Sequence, residues 1–165
     1  MEHRLAIRAA GAAAVAGGLL RVASPLADRL GAQGAQTAYL AIDILLCLGL
    51  IGLYARYASA VGRVGLAAFA AAIAGVLIVR SQGVVPGGYM TGAAVWSLAL
   101  AAFSLRLLFV SGAPRIAPAL WLAAVPAGLV GPLGFLAAGS LFGLGYVAAG
   151  ARLISDPIRV PEPGT

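Results

Sequence analysis

The side chain with the most chemical potential in this sequence is Asp43. It is the one charge inside the apolar run AYLAIDILLCLGLIGLYA, Ala38 to Ala55. Placed at 100° per residue on a helix, Tyr39, Asp43, Cys47, Tyr54 and Tyr57 fall in a stripe about 80° wide. A carboxylate facing hydrocarbon costs about 3 kcal/mol on the milder insertion scales, so this stripe is expected to face other helices. Two kinds of chemistry fit it. One is a salt bridge or hydrogen-bonded staple between helices; the other is a site for a proton or a solute. The cations placed at a similar depth are Arg21 and Arg80. The candidate polar site or helix staple is therefore Asp43, Tyr39, Arg21 and Arg80, with Asp43 paired to Arg21 or to Arg80.

Other reactive groups are scarce. The chain has no Lys and no Asn, which removes Schiff-base chemistry and N-glycosylation. Its single Cys, Cys47, allows no internal disulfide and no thiolate cage. The single His, His3, allows no internal bis-His haem site. Ser97, Ser104 and Ser140 have no His to act as their base, and the Gly-x-Ser-x-Gly, His-Glu-x-x-His and phosphate-loop patterns are absent. The expectation is a non-enzyme with no catalytic residues, no cofactor and no metal.

Composition states where the chain belongs. It has 165 residues, of which 62% are hydrophobic and 10% charged, with a mean hydropathy of +1.00. A soluble domain of this size needs far more polar surface than that. The net charge of +6 comes from eleven arginines scattered singly between apolar runs. They form no basic patch interleaved with aromatics, so nucleic acid is excluded as a partner. The expected partner is the lipid bilayer, with a homo-oligomer or a second membrane protein as further candidates and the small-molecule ligand unknown.

The elements that would hold Asp43 follow from hydropathy and breakers. The fold class expected is an all-α integral membrane protein: a six-helix transmembrane bundle over residues 1–154, with no soluble domain. The spans read 5–23, 38–57, 64–80, 90–110, 116–130 and 133–153, with 155–165 a disordered cytoplasmic tail. Span 5–23 also has the layout of a signal peptide, whose cleavage would remove one helix. An uncleaved helix is preferred because Arg8 and Arg21 can snorkel to opposite interfaces. Ser24 to Thr37 reads as a polar loop, and Ser81 to Gly88 as a turn-rich one. The apolar stretch from Ile116 to Ile154 would be about 58 Å long as one helix, so Gly131–Pro132–Leu133–Gly134 is read as its break. Small residues spaced by four mark packing seams, Ala10, Ala14 and Gly18 and again Ala67, Ala71 and Gly75, and Gly139, Gly143 and Gly150 share one narrow helix face as a third.

The run Gly49–Leu50–Ile51–Gly52–Leu53–Tyr54, followed by Gly62 and Gly65–Leu66, resembles small polytopic membrane proteins of bacteria. That resemblance covers two helices and implies no activity. With six crossings, Arg4, Arg8, Arg56, Arg63, Arg106, Arg115, Arg152 and Arg159 share one side, while Arg21, Arg29 and Arg80 share the other. By the positive-inside rule both termini are then expected in the cytoplasm, in a cell (inner) membrane. The functional expectation is a structural or accessory membrane protein. Its alternative is a carrier or sensor of a small or lipidic molecule, with an outward-facing polar site around Asp43.

Overall fold

The computed structural model describes residues 2–81 and 87–155, and those residues are helical with short turns. The elements are α1 (Glu2–Val22), a 3₁₀ helix (Ser24–Leu30), α2 (Gly31–Arg80), α3 (Gly88–Leu108), α4 (Ile116–Ala127) and α5 (Gly131–Ser155). Among the described residues four helical stretches are long and apolar enough to cross a membrane: Glu2–Val22, Ser24–Arg80, Gly88–Leu108 and Gly131–Ser155. The helix Ile116–Ala127 is shorter, at about 18 Å. The expected disordered tail lies outside the described residues beyond Ser155, as does most of the loop expected at Ser81–Gly88.

At 50 residues a straight α2 would run about 75 Å, well over twice a bilayer's hydrocarbon core. It is not straight. Gly62 leaves the helical region at φ 64° and ψ −160°, a conformation reserved in practice for glycine. The two arms, residues 31–61 and 63–80, then fold back on one another. Tyr54 stacks on Phe69 at a centroid distance of 4.6 Å, and Asp43 meets Arg80. Each pair straddles Gly62 symmetrically to within one residue, which is the signature of an antiparallel hairpin.

The remaining neighbours are also antiparallel, and glycines set how close they come. A Cβ on Gly18 would lie 2.5 Å from the Gly143 carbonyl oxygen, and one on Gly143 would lie 2.6 Å from that of Gly18. Gly11 meets Gly150 in the same way, so α1 and α5 run in opposite directions with their backbones in contact. The other side of α1 packs Ala10 and Ala14 against Gly52 and Gly49 of the first arm of α2. Gly75 of the second arm faces Gly92 and Trp96 of α3. The Tyr57 hydroxyl donates to the Gly112 carbonyl in the α3–α4 turn at 3.4 Å. Trp121 of α4 donates its ring N–H to the Phe142 carbonyl of α5 at 3.2 Å. Where the carbonyls of α5 run out, Arg8 of α1 donates to the Ile154 oxygen at 3.3 Å, covering one of the acceptors a helix end leaves open.

Three expectations need correction. Ser24–Thr37 is not a loop: Pro25 opens the 3₁₀ helix, and α2 already starts at Gly31, whose φ of 76° makes the corner. Ala32, Gln33, Ala35 and Gln36 are good helix formers, and the polarity of the two Gln among glycines hid that. Gly139 is not a packing glycine. The nearest atom to a Cβ there would be an Arg21 guanidinium nitrogen 3.9 Å away, whereas Gly143 and Gly150 touch the α1 backbone. Gly18 likewise faces α5 while Ala10 and Ala14 face α2, so the α1 seam is two seams. Adding a methyl group at Gly18 forces two backbones apart, so Gly18→Ala should cost about 1–3 kcal/mol, and Gly139→Ala less than about 0.5 kcal/mol. Reversible unfolding of the two variants in the same detergent tests this; equal stabilities would mean that the glycine contact does not hold α1 to α5.

Candidate functional site

The upper part of the α2 hairpin holds the ionic contact that the sequence pointed towards. Arg80, in the last turn of the second arm, donates from Nε to Asp43 Oδ2 at 2.6 Å. Its terminal nitrogen approaches the same oxygen at 2.5 Å. Both contacts converge on Oδ2, leaving Oδ1 outside the pair. The Asp43 side chain retains 13% of its exposure and that of Arg80 28%, so the contact lies at the edge of the packing. Asp43 is held there by its neighbours on the helix: Ile42 and Leu46 are buried in the core one position before and three after it.

Tyr39, one turn before Asp43, does not join the pair. Its hydroxyl donates to Asp28 Oδ1 at 3.1 Å and lies 3.4 Å from the Ser24 carbonyl, tying the 3₁₀ helix to α2. Arg21 and Tyr89 lie within electrostatic range of that hydroxyl. Arg21, in the last turn of α1, lies over Gly139 of α5, and its buried Nε has no hydrogen-bond partner. Of the four candidate residues, the structure therefore brings Asp43 and Arg80 together and places Tyr39 and Arg21 elsewhere at the same end.

Sequence reasoning missed Asp28 as the partner of Tyr39, and it missed the aromatic centre. Trp121 and Tyr146, each 1% exposed, lie 4.9 Å apart between ring centroids. Phe142 joins them at 5.2 Å from Tyr146 and meets Trp96 edge-on at 4.7 Å. The available signal was the four-residue spacing of Phe142 and Tyr146, with Gly143 and Gly145 between them. Gly145 leaves the place where the Trp121 indole lies.

Among the described residues no group of three or more His, Cys, Asp or Glu converges as a metal site. A groove of about 310 Å³ runs between α1 and the first arm of α2, lined by Ile7, Ala10, Leu48, Ile51 and others. A wider hollow of about 740 Å³ lies along residues 33–41. Neither is lined by Asp43 or Arg80.

Removing one partner of a partly buried pair strands the other, and we expect Asp43→Asn and Arg80→Gln each to cost about 1–3 kcal/mol. The double variant should cost less than the two separately, a coupling read from a double-mutant cycle of unfolding free energies. Strict additivity would show that the contact contributes nothing. Comparison with family models, with curated proteins and with solved structures yields no match to this chain.

Proposed function

We propose that this chain is a six-span membrane protein with a structural or accessory role, fastened near one end by the Asp43–Arg80 pair. The observation that carries the reading is the contact itself: two of the three guanidinium nitrogens of Arg80 approach one carboxylate oxygen across the α2 hairpin. A carboxylate committed in this way is neutralised locally, which lowers the cost of keeping it in a low-dielectric layer. Neither of the two cavities described above opens on it, which favours a staple over a carrier site.

Six crossings are supported by the alternating direction of the packed rods. Alternation runs through α1, the two arms of α2, α3, α4 and α5, with Gly62 as the turn between the arms. The short α4 extends through its Gly128–Val130 turn into the glycine corner at Gly131, φ 76°, so α4 and α5 together form one hairpin. In this arrangement Arg4, Arg8, Arg56, Arg63, Arg106, Arg115 and Arg152 gather at one end, and Arg21, Arg29 and Arg80 at the other. We place the first end in the cytoplasm of a bacterial inner membrane, following the positive-inside rule.

A cysteine-labelling experiment tests both span number and orientation. With the native thiol removed as Cys47→Ala, Ser81→Cys should react with a membrane-impermeant maleimide in intact cells. Ser111→Cys, in the α3–α4 turn, should react after the membrane is opened. Labelling of Ser111→Cys in intact cells, or equal labelling at both positions, would overturn the topology. For the role itself, the double variant Asp43→Leu/Arg80→Leu should insert and remain folded, as expected for a pair that only fastens. A carrier reading would gain if that variant stayed folded while losing uptake or retention of a small molecule.

A further inference from the structure

Charges at the Arg80 end of the bundle do not balance. Both acids of residues 24–43 are engaged: Asp43 with Arg80 and Asp28 with the Tyr39 hydroxyl. Arg29 is exposed on the 3₁₀ helix. Arg21 is different. Its Nε is sealed from solvent and makes no hydrogen bond, and among the described residues the guanidinium meets no carboxylate. The carbonyl end of α1 offers it only a fractional negative charge. A desolvated guanidinium nitrogen without an acceptor is among the costlier features a fold can carry.

The surroundings leave room for an acceptor. Gly139 has no side chain, and a terminal nitrogen of Arg21 lies 3.9 Å from where its Cβ would be, so α5 leaves a notch beside the guanidinium. The residue is only half-buried at that point, and the notch is therefore accessible. Three residues further along α5, Phe142 packs against Trp96. The Trp96 ring N–H is a second buried donor; it stands near the Tyr146 hydroxyl without closing a hydrogen bond of good geometry.

We propose that Arg21, over the Gly139 notch, holds an oxyanion of the phosphate class. A guanidinium presents a planar fork of N–H donors that matches two oxygens of such a group. Helix ends also lie at the depth where a bilayer carries its phosphates. The group comes from a phospholipid headgroup or from free phosphate, and the two sources share the same recognition chemistry. The inference does not depend on the structural role proposed above or on which face of the membrane this end occupies.

The test uses the full chain, purified and delipidated in neutral detergent, with two probes. One is phosphatidylglycerol, followed by retention in native mass spectrometry in phosphate-free buffer. The other is inorganic phosphate, followed by thermal stabilisation against chloride at equal ionic strength. Wild type should respond to at least one probe, and Arg21→Gln should weaken that response about tenfold or more, as expected for a lost charge-assisted hydrogen bond. Arg29→Gln, at the exposed cation nearby, should respond as wild type does. A response to the lipid alone identifies a headgroup, and a response to phosphate alone identifies a soluble anion. Should Arg21→Gln fail to fold, Gly139→Leu and Arg21→Lys carry the test, since one fills the notch and the other loses the fork while keeping the charge. No response in wild type, or undiminished binding in these variants, would overturn the proposal.

Discussion

In hydrocarbon a leucine gains little by leaving lipid for another helix, so association must come from close backbone contact and from polar bonds. The pairing of α1 with α5 is where this fold meets that constraint. Gly11 and Gly18 lie against Gly150 and Gly143 with no side chain between them, and dispersion contacts then accumulate along the whole interface. Among the described residues the first and last helices are the ones joined. Because α1 also packs Ala10 and Ala14 into Gly52 and Gly49, it is gripped on two sides. Opening one seam therefore leaves α1 held by the other.

The glycine seams leave room for bulk elsewhere, and the molecule puts its aromatics there. Trp121, Tyr146 and Phe142 fill the space between α4 and α5, and Trp96 brings α3 to the same cluster. Thin contacts around α1 and thick ones at the centre make the interior asymmetric, which fixes one packing against others. The bond from the Trp121 ring N–H to the Phe142 carbonyl satisfies a donor that would otherwise be stranded in an apolar interior. Polar commitments of this kind give orientation more than strength.

How much of this could be read from the residues depended on the kind of signal. Hydropathy exposed the apolar segments, since a run such as AYLAIDILLCLGLIGLY is too long and too apolar to sit on a water-facing surface. Gly143 and Gly150 were legible as packing positions because a small residue every seventh place keeps one helix face open to a neighbour's backbone. Gly139 shares their helix face, four residues before Gly143, yet it lies opposite an arginine, and position on a face cannot report what stands across an interface. Asp43 and Arg80 were legible as candidates from cost: a charge in an apolar run needs compensation. The choice of Arg80 over Arg21 depended on the symmetric fold-back at Gly62, a single residue that gives no warning of its φ. Ser24–Thr37 misled because Pro25 and two glycines look like a loop, while Pro at a helix start and Gly at a corner are equally ordinary.

The distribution of acids sharpens the meaning of the arginine bias. Among the described residues, the α1 start and the Arg56, Arg106 and Arg152 positions lie at one end with Glu2 as the single acid, whereas Asp28 and Asp43 both lie at the other. The end poor in arginine is thus also the end where cations are neutralised, with Arg80 held by Asp43. Charges are cheapest to hold in a membrane when they are few and paired, and at this end Arg80 is paired whereas Arg21 Nε has no partner. The end that holds the Asp43–Arg80 pair therefore also holds a guanidinium nitrogen without a partner. A fold that neutralises Arg80 so directly and leaves Arg21 over the Gly139 notch has built a difference between the two that packing alone does not require.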